Sequence, residues 1–334
     1  MRVTGLGSLP GTDVGAAVRF TFDRVPGLPY LPELPARGPS AHLVGRGLGL
    51  LAGLGADLVV DQWRLGSAGA DQRRARALLR DDLDVLEENS QGWSGSFKVS
   101  VAGPWTLAAA TDLAAGGTVL SDAGARRDLA ASLAEGVGDL LGDLRRRLPG
   151  ADLVLQVDEP SLPAVLGGAI PTAGGFFRQR AIGLPEVAAG LSAVSAEPVR
   201  RGLAVPVVLH CCAPGAPVAT LLREGRDGAG FAGVSLDQDT LGSADLDALA
   251  AGLEAGRQFW LGCLPTAGGV PAGVDATRIR VLRLVEALGV APELVAAQVV
   301  LTPACGLASF SAAGAGEVFD VLARVVGQVE GELA

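Results

Sequence analysis

Lysine is all but absent from this 334-residue chain: Lys98 is the only one, and every other basic side chain apart from two histidines is arginine. Schiff-base chemistry therefore has a single address. Lys98 opens the apolar run 98–103, nearer the start of a predicted strand than its end, which argues against that chemistry. Long apolar runs are missing too. None reaches the roughly 18 to 20 uncharged residues that cross a bilayer, and the amino terminus shows no basic region followed by a long hydrophobic stretch. The expected location is the cytoplasm. Basic clusters are lacking and the net charge is −9, which speaks against nucleic acid or an anionic membrane as partner. Four cysteines, two of them adjacent, do not make a disulfide framework, and a reducing compartment keeps their thiolates available for metal.

What is present is a large apolar fraction, 49% of residues against 19% charged, as in an ordinary globular chain. Eight short apolar or β-branched runs occur at 3–8, 57–61, 97–103, 153–158, 205–210, 231–237, 258–263 and 298–303. They are continuous rather than alternating, as strands of a parallel sheet buried on both faces are. Amphipathic stretches at 70–91, 122–148, 184–202, 244–256, 275–288 and 314–332 lie between or after them. This alternation predicts an α/β fold, a single (β/α)8 TIM barrel over residues 1–334, with no linker and no internal repeat. Segment 25–40 carries Pro26, Pro29, Pro32, Pro35 and Pro39 and reads as an extended loop. Segment 167–183, with two glycine pairs and Phe176-Phe177, reads as a long loop able to serve as a lid.

The chemistry gathers at Val207-Val208-Leu209-His210-Cys211-Cys212. Side chains alternate along a strand, so His210 and Cys212 share a face and Cys211 takes the other. With Cys305 at the end of a later run, they form the nitrogen and sulfur set that zinc prefers. An isolated His-x-Cys is equally a core histidine beside small thiols; placement at matching strand ends favours metal. The carboxyl ends of barrel strands face the catalytic mouth. By that rule the site collects Gly7, Ser8, Asp61, Asp158, Glu159, His210, Cys212, Asp237, Cys263 and Cys305.

These residues carry a resemblance that runs in order from end to end. Thr4-Gly5-Leu6-Gly7-Ser8-Leu9-Pro10, Gly103-Pro104-Trp105-Thr106, Gln156-Val157-Asp158-Glu159-Pro160, His210-Cys211-Cys212 and Pro303-Ala304-Cys305-Gly306-Leu307 are similar to motifs of the carboxy-terminal catalytic barrel of cobalamin-independent methionine synthase. Its wider superfamily includes uroporphyrinogen decarboxylases and zinc-dependent corrinoid:thiol methyltransferases. The resemblance implies a zinc methyltransferase of methionine biosynthesis that methylates homocysteine. It implies Zn2+ held by His210, Cys212, Cys305 and a carboxylate at Asp237, with Cys263 competing for the fourth place. Asp158 would bind the substrate amine, Gly7 and Ser8 its carboxylate, and Asp61 would be a second acid near the amine or an ion-pair partner of Arg64. Trp105 would stack on the methyl donor or simply pack.

The departures matter equally. Asp237 stands where the family has a zinc-binding glutamate, and Ala164 where it has a folate-contacting one. Ala308-Ser309-Phe310 lacks the basic residues expected after the distal cysteine, and the family's additional amino-terminal barrel has no counterpart in these residues. The expected donor is therefore a methyl-corrinoid on a partner protein rather than methyltetrahydrofolate. Two other readings stay open: a zinc- or thiol-binding accessory barrel without transfer activity, and a uroporphyrinogen-decarboxylase-like enzyme, which would not need His210, Cys212 and Cys305 together.

Overall fold

A computed structural model describes residues 1–172, 174–225, 227–268 and 272–333. Its strands are β1 (Arg2–Val3), β2 (Gly55–Val59), β3 (Gln62–Gly66), β4 (Gly95–Ala102), β5 (Thr111–Asp112), β6 (Ala151–Asp158), β7 (Val207–Cys211), β8 (Gly233–Asp237), β9 (Gln258–Leu264) and β10 (Val299–Pro303). Seven of them form one parallel sheet in the order β1-β10-β9-β8-β7-β6-β4. Each neighbouring pair from β4 to β10 is joined by a crossover that carries helix, as parallel pairing requires, whereas the β1–β10 pair brings together strands from the two ends of the chain.

Alternation along the strands sorts the side chains into two populations. Leu153, Leu155 and Val157, Val207, Leu209 and Cys211, and Phe259, Leu261 and Cys263 belong to the large cluster packed with the helices. Val154, Val208, Trp260 and Val300 join Leu28 in a separate cluster on the opposite side of the sheet. The strands are thus buried on both faces, which accounts for their unbroken apolar sequence. Moving two residues at a time along that second side leads from Val154 to Gln156 and Asp158, and from Val208 to His210. The polar residues cap an apolar layer toward the carboxyl ends of the strands.

The α/β architecture with a parallel sheet is the predicted one, but the ladder has seven strands and does not close as eight. The run 57–61, expected as the second barrel strand, instead lies in the outlying hairpin β2–β3, whose partner β3 also pairs with β5. The proline-rich segment takes the open seam. The Leu31 N–H donates to the Lys98 carbonyl (3.0 Å), the Lys98 N–H to the Pro29 carbonyl (2.9 Å) and the Glu33 N–H to the Gly7 carbonyl (3.0 Å). On the β1 side, the Thr4 hydroxyl donates to the Leu28 carbonyl at 2.8 Å. Leu28, Tyr30, Leu31 and Leu34 are buried, so this is an interior element rather than a surface loop. Pro29 and Pro32 have no N–H to give, so a regular ladder is impossible; the residues between them make isolated bonds instead.

The β2–β3 turn was hidden because its two central residues, Val60 and Asp61, both have positive φ (49° and 64°), a conformation that Asn-Gly would have announced. Val60 is also 94% exposed. Replacing Val60 with Asn should raise stability by roughly 1 kcal/mol by relieving backbone strain, measured as a higher denaturation midpoint; an unchanged or lower midpoint would contradict the strain.

In segment 167–183, residue 173 lies outside the described residues. Around it, the Gln179 N–H donates to the Ile170 carbonyl (2.7 Å) and the Thr172 N–H to the Phe177 carbonyl (2.9 Å). Phe176 and Phe177 are exposed. No described helix is long and apolar enough to cross a membrane.

Candidate metal centre

His210 is the penultimate residue of β7, Cys212 follows that strand, and Cys305 follows β10. Their ligand atoms lie within 4.8 Å of one another, and the two sulfurs are 3.6 Å apart. His210 Nδ1 faces the Ser235 carbonyl at 3.2 Å and the Ser235 hydroxyl at 3.1 Å. A carbonyl can only accept, so Nδ1 carries the proton and Nε2 keeps its lone pair for a ligand role. The hydrogen bond shared with Cys212, and then the neighbouring His210, pull the Cys305 thiol below its ordinary range. The same shared proton pushes Cys212 up. Cys211 and Cys263, pushed up to about 12 by burial, face the helix-packed side and stay out of the group.

Asp237 is not among the converging donors. Its partly exposed carboxylate accepts the Asp239 N–H at 3.0 Å and caps the short helix Gln238–Thr240. Among the described residues the group therefore offers one imidazole and two sulfurs. Such a group could hold a metal ion.

A cavity of about 170 Å³ opens on this group, lined by Leu6, Ser8, Glu33, Asp158, His210, Cys212 and Cys305 among others. Asp158 and Ser8 both line it. Gly7 holds a φ of +124°, and a Cβ there would meet the Ser100 hydroxyl at 2.9 Å, so the loop that presents Ser8 depends on glycine. Burial pushes Asp158 up to about 7 against the charges of His210 and Lys98 and the hydrogen bond from Gln156, which favour its carboxylate. Asp61 sits exposed at the hairpin tip and does not line the cavity. Trp105 does not line it either: the ring is buried and its Nε1–H donates to the Val187 carbonyl at 3.0 Å, a packing role.

Sequence reasoning missed Glu33 and His42, which also line the cavity. Glu33 is buried, takes a hydrogen bond from Ser100 (3.3 Å) and lies 3.8 Å from Arg46. Arg46 is fixed by Asp82 at 2.8 Å, and Asp82 is gripped at both oxygens by Arg37. Burial raises Glu33 and the Arg46 charge opposes that rise. The one available signal was an acid enclosed by prolines in Pro32-Glu33-Leu34-Pro35; reading that segment as a surface loop concealed it.

Glu159, next to Asp158, has a scaffold role. Its carboxylate accepts the Trp105 N–H (2.8 Å), the Thr106 N–H (2.7 Å) and the Thr106 hydroxyl (2.7 Å), capping the helix Pro104–Ala110. That joins the two motifs around Gly103 and Asp158 into one unit. A Cβ on Gly103 would lie 2.3 Å from a Glu159 oxygen. Gly103→Ala should therefore cost about 1–3 kcal/mol of stability, as overpacking does; a chemical denaturation midpoint equal to that of the parent would refute the contact.

No protein-family model and no curated protein matches the chain. Among solved structures it is similar to a B12-independent methionine synthase from Shewanella sp. W3-18-1 in complex with selenomethionine. The identity is 13% and the TM-score 0.63, with 99% of this chain and 98% of that one covered. It is also similar to a putative vitamin-B12 independent methionine synthase from Listeria monocytogenes, at 14% identity and TM-score 0.62, with 100% and 98% covered. The fold is thus that of methionine synthase structures along its whole length.

Proposed function

We propose that residues 1–334 act as one catalytic unit, a zinc-dependent methyltransferase that methylates a small amino-acid thiol, homocysteine, to methionine. The observation that carries this reading is the meeting of His210, Cys212 and Cys305 with two buried carboxylates, Asp158 and Glu33, around one small cavity. The likeness in fold to methionine synthase structures supports it, and the selenomethionine bound in one of them is an analogue of the proposed product, methionine.

His210 Nε2 and the sulfurs of Cys212 and Cys305 would hold zinc. When bound, zinc supplies the Lewis acidity that keeps a substrate thiol ionised near neutral pH, where a free thiol of pKa roughly 8.5 is mostly protonated. Asp158 receives the substrate ammonium, with Glu33 close enough to share it; the Gly7-Ser8 loop faces the substrate carboxylate. These contacts fix the sulfur at the open side of the ligand group. The sulfur then attacks the methyl carbon, the new S–C bond forms as the methyl–donor bond breaks, and the electron pair leaves with the donor.

The donor follows from what the mouth lacks. Transfer from methyltetrahydrofolate needs the pterin held and protonated, because its amine is a poor leaving group. Ala164, on the helix Leu162–Leu166, and the loop Ala308-Ser309-Phe310 provide neither acid nor base for that. A methyl-corrinoid, presented by a partner protein, has a better leaving group and makes fewer demands. The test is methionine formation by zinc-loaded protein from homocysteine with methylcobalamin and with methyltetrahydrofolate in parallel. Turnover with the corrinoid alone is expected. Rapid turnover with the folate would overturn the donor assignment, and none with either would favour a thiol-binding accessory protein.

A further inference from the structure

Lys98 takes no part in the chemistry above, yet it is fully buried one layer beneath the cavity. Its Nζ donates to the Gly5 carbonyl (2.7 Å) and to Gln156 Oε1 (2.6 Å), and it lies over the rings of Tyr30 (4.9 Å) and Trp260 (5.7 Å). Gln156 is equally buried. Its Nε2 donates to the Leu6 carbonyl (3.0 Å) and to Asp158 Oδ1 (2.6 Å). An ammonium group has donors and no acceptor, whereas a side-chain amide has one end of each kind. Lys98 can therefore bond Gln156 only through its Oε1, which turns the amide NH2 toward Asp158. The strand register places these groups in one row: Lys98 stands beside Val154, two residues before Gln156 and four before Asp158 on β6.

We propose that Lys98, acting through Gln156, is a positioning residue that orients the Asp158 carboxylate toward the substrate ammonium and so makes the site select α-amino thiols over thiols without the amine. The Gln156 bond occupies Oδ1 and leaves the other carboxylate oxygen to the substrate. Because Lys98 itself cannot reach past Gln156, its effect on the substrate is exerted only through the direction and charge of Asp158. The proposal rests on the placement of the substrate amine at Asp158 given above.

A purely structural role is the competing explanation, since Lys98 also ties β4 to the loop after β1 through the Gly5 carbonyl. The two differ in what they do to selectivity. A loosened fold weakens every thiol alike; a misdirected Asp158 weakens only the ligand that carries an amine. The experiment is calorimetric binding of homocysteine and of 4-mercaptobutanoate, the same thiol acid without the amine, to zinc-loaded parent, Lys98→Met, Gln156→Met and Asp158→Asn proteins, with zinc content as the measure of an intact centre. The parent is expected to prefer homocysteine by at least about tenfold, and Lys98→Met and Gln156→Met to lose at least about tenfold of that preference, the equivalent of about 1.4 kcal/mol. Affinity for 4-mercaptobutanoate should stay within about twofold, because a small ligand without an ammonium has no charge-assisted bond to lose. Unchanged preference in a variant that keeps its zinc overturns the inference, as does an equal loss for both thiols. Should Lys98→Met not fold, Gln156→Met interrupts the same chain at its midpoint and decides. If Asp158→Asn abolishes the preference while the other two variants keep it, only the Lys98 role falls; if the parent shows no preference, the amine placement falls and the inference with it.

Discussion

Replacing Cys212 or Cys305 with alanine is expected to abolish stoichiometric zinc binding and, with it, methyl transfer. Among the described residues the group offers three convergent donors, and losing one leaves two, too few to compete with water and buffer for the metal. Substituting even a residue that orients a zinc ligand costs about 10- to 100-fold in affinity; removing a ligand outright should exceed that. Metal analysis of protein purified without chelator checks it, and full zinc in both variants would end the assignment. Cys211→Ala and Cys263→Ala are the controls. Both thiols point into the helix-packed core, so their loss should cost roughly 1 kcal/mol of stability through a small cavity and leave zinc in place. Asp237→Ala should also retain zinc, because that carboxylate is engaged in capping the turn that follows β8.

Asp158→Asn is expected to weaken homocysteine binding by about 30- to 1000-fold while zinc content stays the same. The substitution keeps the shape and removes the charge that faces the substrate ammonium. Loss of one partner from a buried, hydrogen-bonded charge pair costs about 2–5 kcal/mol, and the site is well enclosed, with Asp158 only 6% exposed. The effect should appear as a raised KM and a weaker calorimetric Kd. Glu33→Gln should be milder, since the neighbouring Arg46 already neutralises much of the Glu33 charge. Homocysteine binding unaltered in Asp158→Asn would move the amine elsewhere in the cavity, with Glu33 the first alternative.

The grouping of His210, Cys212 and Cys305 was legible because it depends on local rules. A strand alternates its side chains, so the order His210-Cys211-Cys212 already separates the two that meet the cavity from the one that enters the core, and a parallel sheet brings the ends of β7 and β10 to the same level. The same reasoning puts Asp158 at a strand end. It failed at 57–61, where an apolar run became a hairpin through a Val-Asp turn of unusual backbone geometry, and so put Asp61 at an exposed tip instead of the mouth. It also failed for Asp237, whose position on β8 was right but whose carboxylate found a nearer partner in its own backbone.

The sequence by itself determined the α/β architecture, the parallel strands with their apolar faces, and the identity of the histidine and two cysteines, because each follows from the periodicity of neighbouring residues. Only the tertiary structure decided that a proline-rich segment fills the seam between β1 and β4 and brings Glu33 to the cavity, that Lys98 and Gln156 stand in line behind Asp158, and that His210, Cys212 and Cys305 converge without Asp237 among the described residues. Those outcomes rest on hydrogen bonds between segments far apart in the chain, Glu33 to Ser100 and Lys98 to Gly5 and Gln156. Such bonds are chosen by burial: a polar group removed from water must find whichever partner the fold sets beside it.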